Sequence, residues 1–182
     1  MILIVDMNYR KDSLGIYEFV LPIASIVKNF EEYTIKHYSE LSQADIDKCT
    51  RVILSGNALR NKQSLTRTED FTWIRKCEKP FLGICSGMQT IGIVFGSSLK
   101  RCLEIGMQRI ITVKENPLFS SSFEAYELHS YSIQPSKELD VLAESESCVQ
   151  AVKHKKKDMY GVLFHPEVRN REIVERFAVL PT

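Results

Sequence analysis

Short runs in which every residue is apolar constrain the fold of this chain most. ILIV near the N-terminus, VIL at 52–54 and the run that ends at Ile84 show no polar alternation. Strands of this kind are buried on both faces, as in parallel sheets covered by helices. Helical patterns at 14–30, 66–77 and 86–96 separate or follow these runs. The first half therefore predicts an α/β fold with a mostly parallel central sheet flanked by helices.

The second half of the chain has a different pattern. Short strand-like pieces separated by turn residues begin at MQRIITVKE (107–115) and predict antiparallel additions to the sheet. The run KHKKKD, 153–158, predicts a solvated hairpin tip, with a docking patch as the alternative. No linker or repeat divides the 182 residues, so we expect a single domain spanning 1–182.

Composition excludes several classes of protein. A net charge of +1 gives no general attraction to nucleic acid or to a membrane surface, and the longest apolar runs are too short to cross a bilayer. No secretory signal is visible at the N-terminus. The five cysteines are not spaced as C-x-x-C, so we expect free thiols, a reducing cytoplasmic compartment and no metal or other cofactor.

Cys85 carries the strongest chemical signal. It lies between Gly83 and Gly87 where an apolar strand meets a helix, and glycines at these two positions relieve crowding in a nucleophile elbow. The helix N-terminus favours the thiolate, and the N–H of Ser86 points to where an oxyanion forms. The alternative is a small buried cysteine that serves packing alone.

A cysteine nucleophile needs a base and a group that orients the base. His165 ends a second apolar strand, and the rigid Pro166 separates it from the carboxylate of Glu167. The alternative is that His165 and Glu167 only end a strand, and a metal site is less favoured because no further His or Cys lies at ligand spacing. Gln89 lies four residues after Cys85, on the same helix face.

Together, GICSGMQ and GVLFHPE resemble the class I glutamine amidotransferases, the type with a Cys-His-Glu triad. The similarity covers most of the chain and includes LSG at 54–56, EIG at 104–106 and LHS at 128–130. The stretch VQAVKHKKKDMYGVLFHPEV resembles the free-standing glutaminase subunit of GMP synthetase in particular. The resemblance implies a flavodoxin-like arrangement of the parallel sheet.

The resemblance also implies a reaction. Cys85 attacks the side-chain amide of glutamine, His165 moves the protons and Glu167 orients it, so that ammonia leaves a γ-glutamyl thioester that water then hydrolyses. Ammonia is expected to pass to a separate synthetase subunit, an ATP-pyrophosphatase. Among the possible synthetases, the resemblance favours GMP synthetase. Gln89 is expected to bind the substrate through its side chain, and Ser130 and Tyr131 through their backbone.

Two stretches depart from the family pattern. The oxyanion loop, usually S-G-G-P or S-N-G-P, reads SGNA at 55–58. Asn tolerates positive φ well, so we expect Gly56 and Asn57 still to build the oxyanion hole. The segment LHSY at 128–131 replaces the S-H-x-D of GMP-synthetase glutaminases and is closer to anthranilate-type subunits at Ser130.

These departures leave three alternatives open. The chain could serve an anthranilate or aminodeoxychorismate synthetase instead. It could be a partner-independent γ-glutamyl hydrolase or cysteine peptidase on the same fold. It could also be a catalytically silent regulatory subunit, against which the intact Cys85, His165 and Glu167 argue.

Overall fold

The fold is organised around one mixed β-sheet. The computed structural model describes residues 1–59 and 63–181. Nine strands occur within those ranges: β1 (Ile2–Asp6), β2 (Tyr33–His37), β3 (Arg51–Leu54), β4 (Phe81–Ile84), β5 (Ser98–Thr112), β6 (Phe123–Gln134), β7 (Leu139–Glu144), β8 (Val149–His154) and β9 (Met159–Val162). Their order in the sheet is β2-β1-β3-β4-β9-β8-β7-β5-β6.

The first five strands of that order are parallel, and the other four are attached by antiparallel pairing. The order β2-β1-β3-β4-β9 is the 2-1-3-4-5 pattern of flavodoxin-like sheets. The predicted fold class is therefore confirmed, including the antiparallel additions from the second half. Pairing of β4 with β9 places two strands distant in sequence side by side, with Gly83 opposite Gly161.

Helices cover both faces of the sheet. They are α1 (Leu21–Val27), α2 (Gln43–Lys48), α3 (Gln63–Thr66), α4 (Ser86–Val94) and α5 (Glu172–Ala178), with a π-helical turn at Ile16–Val20 and a 3₁₀ helix at Thr68–Lys76. Strand β1 supplies Ile2 and Ile4 to a core that includes α1 and α5, and Leu3 and Val5 to a core that includes α2 and α4. Both faces of β1 are buried, which is why its sequence lacks alternation.

Strand β5 differs from the prediction. It begins at Ser98 instead of near Met107 and pairs with β6 along almost all its length, interrupted by a shift of register between Arg101 and Glu104. Its outward residues include Leu103 and Ile105, which are more than half exposed. The pattern therefore lacks the polar outer face by which a half-buried strand is usually predicted.

The helix predicted at 14–30 begins late, as expected from Pro22, which lies in the first turn of α1. No helix among the described residues is long and apolar enough to cross a membrane.

Candidate active site

Cys85 lies in the sharp turn between β4 and α4. Its backbone has φ 49° and ψ −104°, a strained conformation for a residue with a side chain. A Cβ on Gly83 would lie 2.5 Å from the carbonyl carbon of Gly87, and a Cβ on Gly87 would lie 2.5 Å from the carbonyl oxygen of Leu54. The two glycines are therefore required by the close approach of strand and helix, as in a nucleophile elbow.

The thiol of Cys85 is held in a closed but polar environment. The residue is buried, and its sulfur lies 3.7 Å from the carbonyl oxygen of Leu128 on β6. The backbone N–H of Ser86 is the first of α4, where N–H groups have no intrahelical acceptor. This N–H and the positive end of the helix dipole are in place to stabilise negative charge beside Cys85.

His165 and Glu167 form the second part of the site. The Nδ1 of His165 lies 2.7 Å from Oε1 of Glu167, and both side chains are fully buried. Burial acts to lower the pKa of His165, but the charges of Glu167 and Cys85, together with the hydrogen bond to Glu167, outweigh it and hold that pKa well above its ordinary value. The imidazole is thus stabilised in its protonated form, between a carboxylate and a thiol, which is the arrangement of an activated cysteine nucleophile.

The loop at 55–58 lies against this triad. A Cβ on Gly56 would lie 2.6 Å from Cε1 of His165, so only glycine fits beside the imidazole. Asn57 is buried, and its side-chain Nδ2 donates to the carbonyl oxygen of Met7 at 3.0 Å. The backbone of Asn57 does not have a positive φ, so the tolerance of Asn for that conformation is not used here. Its side chain instead fastens the loop to the end of β1.

A small cavity opens beside Cys85, with a volume of about 20 Å³. Its lining comprises Asn57, Ala58, Leu59, Leu65, Cys85, Gln89, Leu128, His129, Ser130 and Tyr131. All three predicted substrate-binding residues are thus together at one cavity. The amide Nε2 of Gln89 donates to the carbonyl oxygen of Tyr131 at 2.6 Å, which ties α4 to β6 across the cavity.

The sequence reasoning missed a buried polar network behind the cavity. The Nε2 of His129 lies 3.1 Å from a carboxylate oxygen of Glu104 and 3.1 Å from one of Glu127. Burial raises the pKa of Glu127, although the nearby His129 opposes the shift. The motifs EIG and LHS contain two of these residues, but nothing in their spacing indicates that Glu104 and His129 face each other across β5 and β6.

A doubly wound sheet with a strained cysteine elbow at one strand end and a buried His-Glu pair at the next defines a triad-type cysteine amidohydrolase. Residues 21–177 match the family described as glutamine amidotransferase class-I. The chain belongs to this family.

The relatives that have assigned names are similar to this chain and belong to one group within the family. A subunit of the glutamine-hydrolyzing GMP synthase of Methanocaldococcus jannaschii is 39% identical over 100 residues, which are 51% of this chain and 53% of that protein. The match thus spans about half the length of that relative. The corresponding subunit from Saccharolobus solfataricus is 32% identical over 70% of this chain and 72% of its own length.

Solved structures support the same architecture. A protein described as a subunit of GMP synthase from Thermoplasma acidophilum superposes with a TM-score of 0.84 at 23% identity, covering 97% of this chain and 91% of its own. A glutamine amidotransferase from Thermotoga maritima superposes with a TM-score of 0.71 at 20% identity, and the match covers 97% of this chain and 80% of that one. At these identities the likeness concerns the fold.

Proposed function

We propose that this chain is the glutaminase subunit of a two-chain GMP synthase. It hydrolyses glutamine to glutamate and ammonia, and a separate ATP-pyrophosphatase subunit receives the ammonia. The observation that carries the proposal is the position of Cys85 at a strained elbow beside a buried His165–Glu167 pair. The names of the relatives supply the choice of synthetase.

Proton positions on the triad determine the first half of the reaction. The sulfur of Cys85 attacks the side-chain carbonyl carbon of glutamine, and the carbonyl oxygen becomes an oxyanion. Donors for that oxygen are the N–H of Ser86 and, when the loop is suitably placed, the N–H groups of Gly56 and Asn57. His165 then gives its proton to the departing nitrogen, so that ammonia leaves and a γ-glutamyl thioester remains on Cys85.

Water completes the reaction through the same groups. His165, now neutral, takes a proton from a water molecule that attacks the thioester carbon, and the C–S bond breaks to release glutamate and regenerate the thiolate. Glu167 keeps the imidazole in one orientation through both halves, since it holds Nδ1 at 2.7 Å. Each turnover consumes one glutamine and one water, and every proton transfer uses a group of this chain.

The residues that line the cavity beside Cys85 are the ones that we expect to select the substrate. Gln89 and the 128–131 segment line the cavity in which free glutamine would lie. The proposed compartment is the cytoplasm, which is supported by the five free cysteines and the expected biosynthetic partner.

The test is glutaminase activity with and without the ATP-pyrophosphatase subunit of the source organism, its nucleotide substrate and ATP. We expect stimulation by that subunit, labelling of Cys85 by an electrophilic glutamine analogue, and at least about 10³-fold loss in Cys85→Ala. Cys77→Ala is the matched control, because Cys77 is also a buried free thiol but lies outside the site.

Three results would redirect the proposal. Turnover of γ-glutamyl peptides in preference to free glutamine would indicate a partner-independent hydrolase. Stimulation by a chorismate-using subunit, and not by the ATP-pyrophosphatase, would indicate the anthranilate or aminodeoxychorismate type. Absence of both labelling and turnover would indicate a silent subunit.

A further inference from the structure

The buried polar network behind the active site has the composition of a metal centre. Glu104 stands on β5, and Glu127 and His129 stand on β6. One ligand atom from each of these three buried residues lies within 4.8 Å of the others. We call these three residues the acid–imidazole cluster. It contains none of the triad residues.

The cluster combines two buried carboxyl groups with one imidazole. Glu104 accepts hydrogen bonds from Gln150 Nε2 at 2.6 Å and from Ser145 Oγ at 2.9 Å. Glu127 is fully buried, and neither of its oxygens accepts a hydrogen bond of good geometry from any described residue. Among the described residues, the only basic side chain within ion-pair distance of Glu104 or Glu127 is that of His129. A buried carboxylate of this kind is costly until a proton or a cation joins it.

His129 is oriented as a metal ligand. Its Nδ1 lies 3.1 Å from the carbonyl oxygen of Cys102, which can only accept, so Nδ1 carries a hydrogen. The atom that faces the carboxylates is therefore Nε2. Imidazoles that bind metals commonly donate their other N–H to a backbone carbonyl in this way, which fixes the ring for coordination.

The spacing of the three donor atoms suits a small divalent ion. The Nε2 of His129 is 3.1 Å from an oxygen of Glu104 and 3.1 Å from an oxygen of Glu127. A tetrahedral zinc ion with bonds of about 2.0–2.2 Å separates neighbouring ligand atoms by about 3.3–3.6 Å. The two donor pairs that include His129 need to move apart by only a few tenths of an ångström to hold the ion, and the two carboxylates lie within 4.8 Å of each other.

A surface cavity lies next to the cluster and is separated from it by side chains that contact Glu104. A cavity of about 350 Å³ is lined in part by Glu144–Val149. Two residues of its wall contact Glu104, since Ser145 Oγ donates to Oε1 and the thiol of Cys148 lies 3.4 Å from Oε2. The wall also contains the acids Glu144 and Glu146 and one base, Lys100, so its formal charge is negative on balance and favours a cation.

We propose that Glu104, Glu127 and His129 bind one divalent transition-metal ion, for which Zn²⁺ suits the nitrogen and oxygen donors. The fourth position stays open to water from the side of Cys148. The ion ties β5 to β6 through His129, which belongs to the 128–131 segment that lines the active site. This role is structural, and it is independent of whether glutamine is the substrate.

The experiment uses the full chain carrying Cys85→Ser, because a thiol beside an imidazole would itself bind zinc. The protein is stripped with a chelator, loaded with Zn²⁺, separated from free metal and analysed by mass spectrometry. We expect about one zinc per chain, and at least tenfold weaker binding in Glu127→Gln and in His129→Asn. His37→Asn is the matched control, because that buried imidazole bonds to Ser39 and to the carbonyl of Asn8, away from the cluster.

Two further measurements test metal binding in the Cys85→Ser protein itself, so that the test does not depend on variants that fold poorly. Co²⁺ in the Cys85→Ser protein should give the intense visible bands of a four- or five-coordinate ion, and Zn²⁺ should raise its thermal midpoint. Near-ultraviolet circular dichroism checks the fold of each variant. No zinc in the folded Cys85→Ser protein, weak octahedral cobalt bands, or full zinc in Glu127→Gln would overturn the proposal and leave a proton as the cluster's counter-charge.

Discussion

Gly56 lies against the side chains of His165 and Cys85, and there is no room for a side chain at this position. The position where its Cβ would stand is 2.6 Å from Cε1 of His165 and 3.5 Å from the Cβ of Cys85. Any larger residue must push the imidazole away from the thiol. The loop that is expected to supply the oxyanion donors therefore also sets the position of the base.

Gly56→Ala should lower kcat/KM for glutamine by about 10²-fold, because small displacements of a reacting group have costs of that size. Urea unfolding should show a loss of about 1–3 kcal/mol from overpacking. Gly106→Ala is the control: its φ of +98° strains an alanine, but nothing lies within 4 Å of the added Cβ. Equal loss of activity in both variants would show that backbone strain, and not contact with His165, is responsible.

Glu167→Gln should lower the pKa of His165, since the charge of Glu167 is one of the interactions that raise it. The titration can be followed through the imidazole signals in NMR spectra. The turnover number should fall by about 10²–10⁴-fold, the range of a general acid–base contribution. Glu172→Gln, an exposed position on α5, should change neither quantity, and an unchanged His165 titration in Glu167→Gln would contradict the assigned role.

At the scale of elements, the β8–β9 hairpin explains the lysine-rich run. Residues 155–158 form the turn between the two strands. Nδ1 of His154 accepts hydrogen bonds from the backbone N–H groups of Lys156 and Lys157. The ammonium group of Lys157 donates to the carbonyl oxygens of Arg75 and Cys77 at the end of the 3₁₀ helix. These contacts favour the hairpin-tip interpretation over a docking patch.

His154 should make stability depend on pH. Burial lowers its pKa below the ordinary 6.5, so between those two values the unfolded chain binds more protons than the folded chain. The free energy of unfolding should therefore rise with pH through this window, and the contribution is complete above about pH 6.5. His154→Asn keeps an acceptor for the turn but cannot titrate. Urea unfolding between pH 5 and 8 should show a smaller slope in the variant, and identical slopes would contradict the assignment.

The parallel half of the fold and the triad could be predicted from sequence because their signals are local. Unbroken apolar runs indicate β1, β3 and β4, and two glycines within two residues indicate the role of Cys85. The full length of β5 could not be predicted, because Leu103 and Ile105 face outward and Gly106 interrupts the pattern. The acid–imidazole cluster depends on pairing between β5 and β6, which no local spacing reveals.

At the scale of the whole molecule, the cavity beside Cys85 is too small for the proposed substrate. A cavity of about 20 Å³ holds about one water molecule and not a glutamine. Part of the lining must therefore move before substrate enters, and we expect that part to be the wall formed by Asn57–Leu59. The bond from Asn57 to the carbonyl of Met7 holds that wall to the central sheet.

Asn57→Gly should raise glutaminase activity measured without the synthetase subunit, because it releases the loop from β1. Activity measured with the subunit should change less, since we expect the partner to move the same loop. Steady-state assays in both conditions test this, with the exposed Asn29→Gly as the control. If Asn57→Gly changes neither rate, the loop does not limit access to the site.

The pairing of β4 with β9 has a consequence for synthesis of the protein on the ribosome. Cys85 and His165 are separated by 79 intervening positions and meet only when the last strand takes its place beside the fourth. A nascent chain that has reached residue 150 carries the thiol but neither the histidine nor the acid. In the proposed reaction, release of ammonia therefore cannot begin before the segment that carries residues 165–167 has been translated and has folded.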